Sequence, residues 1–143
     1  MRQRSSFSLF MIAITTIGLS LVVIYYYIPS AAENTFGAPS QRLSGWERLR
    51  YGAELIWHAN DLIIPLNGDN GEIVFQLEPG EDAYQVAVRL EQAGLIKSAR
   101  SFQVYLAWSG KDTYLLPGIY HLNPSLSAMT IAEMLQSAGE TDT

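Results

Sequence analysis

The sequence predicts an α+β protein, with one N-terminal membrane-spanning helix ahead of a small βααβ unit that carries an extra C-terminal helix. Three observations carry this expectation. Residues 7–28 form an apolar run of 22 residues without a charge. Ile73 to Ser98 reads as strand, tight turn, capped helix and glycine stop. Leu115 to Leu122 reads as a second strand, and a further capped helix follows it.

The N-terminal run comes first. At about 1.5 Å per residue it matches the roughly 30 Å hydrocarbon thickness of a bilayer. Arg2 and Arg4 precede it, and the next basic residue is Arg42. The excess of positive charge on the near side places residues 1–6 in the cytoplasm and everything past Ile28 outside. Tyr25, Tyr26 and Tyr27 then fall where an interfacial aromatic belt sits. Ser30-Ala31-Ala32 would suit a signal peptidase, but secretory apolar regions run to only about 7–15 residues, so an uncleaved anchor is the expectation.

Residues 29–43 are small, polar and proline-containing, and read as a linker. Ser44 with Glu47 has the spacing of a capping box, which starts an amphipathic helix within 44–60. Trp46, Leu49, Ala53, Ile56 and Trp57 fall close to one side of it. That stripe either packs on the protein's own core or docks on lipid or a partner, with Trp46 and Trp57 as anchors. Leu62-Ile63-Ile64 and the run from Glu72 to Leu77 flank Asn67-Gly68-Asp69-Asn70-Gly71, which suggests two extended segments joined by a loop. Asp69 and Asn70 lack the rest of a twelve-position calcium loop and are read as turn residues.

In the central unit, Ile73 to Leu77 is the strand and Pro79-Gly80 the turn. Asp82 and Gln85 form a second capping box. Ala83, Val86, Ala87 and Leu90 recur at helical spacing, and Gly94 stops the helix so that Leu95 folds back on it. Ser98 caps the next helix, with Phe102, Tyr105 and Leu106 on one side and Gly110 near its end. Pro117-Gly118 leads into the alternating second strand. Ser127 caps the last helix, with Ile131, Ala132, Met134 and Leu135 apolar and Gly139 as its stop; residues 140–143 are a tail.

Composition removes several classes of function. The chain contains no cysteine, so disulfides, thiolate metal sites and cysteine nucleophiles are excluded. Net charge is −5, and two of the nine basic residues lie ahead of the apolar run. The remainder sets seven basic residues against all fourteen acids, which is no surface for a phosphate backbone, so nucleic acid is not an expected partner. His58 and His121 stand far apart without aligned ligands, so no metal and no cofactor are expected. Glu78, Glu81, Glu91, Asp112 and Glu133 sit in turns, caps or exposed helix sides rather than in a recognisable acid–base pair.

The words Pro79-Gly80-Glu81-Asp82, Ala93-Gly94-Leu95-Ile96-Lys97-Ser98, Phe102, Gly118-Ile119-Tyr120 and Leu126-Ser127, in this order, resemble the N-terminal LysM-like module of the MltG (YceG-like) family of membrane-anchored endolytic murein transglycosylases. The resemblance covers about residues 73–139, within a module expected over 61–139, and Asp82 replaces the family's usual serine or threonine cap. It implies a shallow glycan groove between the loops Glu78–Tyr84 and Ser109–Pro117, with Gly80, Glu81, Asp82, Tyr84, Tyr114 and Gly118 as glycan or partner contacts. The plainer alternative makes Tyr84 an exposed helix residue and Tyr114 partly core. The family's catalytic glutamate finds no counterpart at any position, so the expectation is a non-catalytic, single-pass module outside the cytoplasmic membrane that binds peptidoglycan-type glycan. The alternatives are a small accessory subunit of a membrane protein complex and a truncated or split transglycosylase.

Overall fold

The computed structural model describes residues 3–66 and 71–137. The expected loop residues Asn67 to Asn70, the glycine stop at Gly139 and the tail 140–143 lie outside them. Among the described residues, six helices and a two-stranded sheet follow one another as α1 (Gln3–Phe36), α2 (Gly45–Trp57), α3 (Ala59–Ile63), β1 (Ile73–Leu77), α4 (Ala83–Gln92), α5 (Ala99–Ser109), β2 (Gly118–Leu122) and α6 (Ala128–Met134), with a 3-10 turn at Lys111–Thr113 before β2.

Helix α1 is long and apolar enough to cross a membrane. Hydroxyls in its middle are satisfied within the helix: Thr16 Oγ1 donates to the Ile12 carbonyl at 3.0 Å and Ser20 Oγ to the Thr16 carbonyl at 2.8 Å. Such back-bonding is what an apolar phase requires of a polar side chain. The helix does not stop where the sequence suggested. It runs through Pro29 to Phe36, so eight residues of the expected linker are helical and only 37–44 connect it to α2. Tertiary contacts hold this extension. Ala32 and Phe36 are buried, and the Phe36 ring meets Tyr105 edge-on at 6.3 Å.

The joint with the rest of the chain is close. A Cβ at Gly52 would lie 3.4 Å from both Ala32 Cβ and the Trp108 ring, so the absent side chain is what lets α1, α2 and α5 converge. Trp108 Nε1 donates to the Gly37 carbonyl at 2.8 Å, and the Ser40 amide donates to the Trp108 carbonyl at 2.5 Å. Arg42 completes the strap through an ion pair with Asp112 at 2.6 Å. Gly45 lies beside the Tyr25 hydroxyl and Gly52 beside Ala32, seven residues further along each helix. The two helices therefore run in the same direction, and the first turn of α2 stands level with Tyr25.

Both expected capping boxes on α2 and α4 are present. The buried side of α2, however, is Gly52 and Leu55, not the tryptophan stripe. Trp46, Ala53, Ile56 and Trp57 face outward. Leu62 and Ile63 belong to α3 and not to an extended segment, because Leu62 packs fully into the core while Ile63 and Ile64 remain exposed.

β1 and β2 pair antiparallel, from Ile73 opposite Leu122 to Leu77 opposite Gly118. Phe75, Leu77, Tyr120 and Leu122 turn inward, and Val74 and His121 turn outward, the period-two pattern of a half-buried ribbon. At the end of α4, Gly94 adopts φ 68° and the Leu95 amide donates back to the Leu90 carbonyl at 2.9 Å, which buries Leu95 as expected. Helix α5 is the centre of the fold. Ala99, Ser101, Phe102, Val104, Tyr105, Leu106 and Trp108 are all buried, so it is covered on nearly every side. Helix α6 ends at Met134, and the Tyr120 hydroxyl lies at its exit, donating to the Leu116 carbonyl at 2.6 Å with the Ser137 carbonyl 3.0 Å away.

Between α2 and α5, Arg100 Nε donates to Glu54 Oε1 at 2.6 Å. This bond holds the Glu54 carboxyl below its ordinary 4.5, and Ser44 does the same for Glu47 through its backbone amide and hydroxyl. Lowered carboxyls stabilise the fold above their unfolded value, and that contribution is lost as pH falls through the folded one. The melting temperature is therefore expected to drop on acidification below about pH 4.5. Glu54→Gln should flatten part of that slope. With Arg100 largely exposed, the pair contributes no more than about 1 kcal/mol.

Candidate functional site

The antiparallel register places Leu77 opposite Gly118, so the turn after β1 and the segment before β2 leave the same end of the ribbon. That brings the two predicted contact segments to one edge. The turn closes through the Glu81 amide donating to the Glu78 carbonyl at 3.3 Å, with Gly80 at φ 86°.

Two of the predicted contacts are occupied in building the edge. Glu81 accepts from the Glu78 amide at 2.9 Å and from Arg89 Nη1 at 2.5 Å. Arg89 in turn donates to the Gln76 carbonyl at 2.8 Å and stacks over the Phe75 ring at 4.7 Å. Asp82 accepts the Gln85 amide at 2.8 Å as the N-cap of α4. Both carboxylates serve here as acceptors that brace the turn and the start of α4.

The aromatic residues are different. Tyr84 is 63% exposed and Tyr114 is 69% exposed. Tyr114 is therefore not a core residue, which removes the plainer alternative for it. Beside Tyr84 lies an open depression of about 390 Å³ lined by Glu81, Tyr84, Gln85, Val88 and Arg89. Tyr114 does not line it; the two rings mark the ends of an edge and do not share one cavity. Gly118 opens β2 and is held by the ladder.

The second predicted group also divides. Tyr25, Tyr26 and Tyr27 are exposed on α1, and the Tyr25 and Tyr26 rings meet edge-on at 5.4 Å. Trp46 is 70% and Trp57 86% exposed, on the outer side of α2. They are eleven residues apart, about 17 Å along the helix axis. Trp46 is level with the tyrosines, whereas Trp57 stands at the far end of α2, with exposed Ile56, Ile63 and Ile64 near it in sequence.

A further depression of about 190 Å³ lies in the angle between α1 and α2, lined by Tyr25, Tyr26, Pro29, Gly45 and Arg48. It depends on a pairing of helices that no local pattern announces. Among the described residues no three histidines or acids cluster to hold a metal ion. His58 Nδ1 lies 3.2 Å from Asp61, and His121 pairs with Glu72 across the outer side of the ribbon.

These features define a class: a small α+β module, built on a two-stranded antiparallel ribbon and fused to a long apolar N-terminal helix. Within that class, residues 75–143 match the model of the YceG-like family. The match opens inside β1 and takes in α4, α5, β2 and α6, while α1, α2 and α3 precede it. Neither a curated protein nor a solved structure matches the chain.

Proposed function

We propose that the chain is a single-pass protein of the cytoplasmic membrane, with its N-terminus inside, that holds a LysM-like module outside to bind peptidoglycan-type glycan. The observation that carries this reading is the pair of exposed aromatic rings, Tyr84 and Tyr114, on two segments leaving one end of the ribbon. Aromatic faces supply apolar area for a sugar ring, and the Gln85 side-chain amide on the rim of the depression supplies hydrogen bonds to its hydroxyls. In this reading the edge binds and does not cleave, since Glu81 and Asp82 are both engaged as acceptors. Retention of the detergent-solubilised protein on insoluble peptidoglycan is the test. Tyr84→Ala with Tyr114→Ala should lower it about tenfold or more. Undiminished retention, or release of anhydro-sugar products by the purified protein, would overturn the reading.

A second reading has its own observation. Ile56, Trp57, Ile63, Ile64 and Leu66 are exposed within one short stretch of the chain. Exposed apolar groups on this scale suit a protein partner, as in an accessory subunit of a membrane complex. A stoichiometric detergent-stable complex lost in Trp57→Ala, without retention on glycan, would favour it.

A further inference from the structure

We propose that the angle between α1 and the first turn of α2 is a binding site for a glycerophospholipid headgroup of the outer leaflet, with Arg48 facing the phosphodiester and Trp46 seated in the interface. The proposal rests on the reading of α1 as a membrane span whose far end, at Tyr25 to Tyr27, meets the outer surface.

Height is the first argument. Since α1 and α2 run side by side in one direction with Gly45 beside the Tyr25 hydroxyl, the start of α2 is fixed level with the tyrosine belt. It continues the apolar surface of α1 sideways rather than standing above it. Trp46, exposed on that first turn, is an amphipathic ring at the depth such rings favour.

Chemistry is the second. Arg48 Nε donates to the Leu43 carbonyl at 3.1 Å, which fixes the guanidinium at the depression. Its two Nη groups make no hydrogen bond among the described residues, whereas Arg42, Arg89 and Arg100 are each committed to an acid and Arg50 lies over the Tyr51 ring. A guanidinium held by one nitrogen with its outer pair of donors free suits a phosphate oxygen pair. Glu47, the acid on that turn, is turned away onto the Ser44 amide and hydroxyl at 2.8 and 2.9 Å. Pro29 and the Tyr26 ring give the depression apolar walls for the glycerol and upper acyl carbons. Pro29 also has no N–H to offer the Tyr25 carbonyl four residues earlier.

The test uses the full chain reconstituted into vesicles of phosphatidylethanolamine and phosphatidylglycerol that carry a nitroxide either on the headgroup or deep in the acyl chain. Tryptophan emission should be quenched more by the headgroup nitroxide than by the deep one. Trp46→Phe should remove most of that quenching, and Trp57→Phe should leave it. Arg48→Ala should lower it about twofold by loosening the first turn from the headgroup plane. Quenching unchanged by Trp46→Phe, or abolished by Trp57→Phe, overturns the site while the span stands. A chain that does not enter the vesicles overturns the spanning reading and the site with it.

Discussion

Trp108→Ala is expected to cost about 3–5 kcal/mol of folding stability, the range for truncating a large buried aromatic. Trp108 is fully buried at the end of α5, its ring touches the backbone of α2 at Gly52, and its Nε1 and carbonyl both bond to the strap at Gly37 and Ser40. Truncation opens a cavity where three helices meet, and it strands the Gly37 carbonyl without its indole donor. Thermal unfolding by circular dichroism in mild detergent would measure the loss. Trp108→Phe, which keeps most of the volume and loses the hydrogen bond, should cost about 1–2 kcal/mol. A Trp108→Ala protein as stable as the parent would mean that the joint contributes little.

Gly52→Leu is expected to separate α1 from the module at a cost of about 1–3 kcal/mol, because even a Cβ there already sits at contact distance from Ala32 and the Trp108 ring. The informative readout is geometric. Spin labels at exposed Ser30 on α1 and exposed Arg100 on α5 should report one narrow distance in the parent and a broad distribution in the variant. A distribution that stays narrow would show that α2 and α5 yield instead of α1.

What the residues disclosed in advance follows from how local each interaction is. The caps at Ser44, Asp82, Ser98 and Ser127 involve partners three residues away, and all four form as their spacing predicts. The strands were legible because Phe75, Leu77, Tyr120 and Leu122 alternate with outward residues. Tertiary effects were not legible. Pro29 usually ends a soluble helix, but here packing of Ala32 and Phe36 carries α1 past it. On α2 the hydrophobic stripe pointed to Trp46 and Trp57, yet the contact surface is centred on Gly52, whose value lies in having no side chain. Leu62 to Ile64 is an apolar run too short to choose between strand and helix, and the core decided. Trp108 was not legible because α5 is buried almost all round and its polar side is only the narrow strip of Arg100 and Gln103. For the candidate edge, the sequence placed Tyr84 and Tyr114 on the correct segments but could not say that both rings stand clear of the core.

The unbroken passage of α1 into the core has a consequence for reach. Many tethered receptors roam on a floppy stalk, and their search volume grows with its length. Here there is no slack: Ala32 is already inside the fold four residues, about 6 Å, beyond Ile28. A body of this size has a radius of gyration of about 13 Å. With α1 spanning the bilayer as proposed, a ligand of the Tyr84–Tyr114 edge would have to lie within a few nanometres of the lipid.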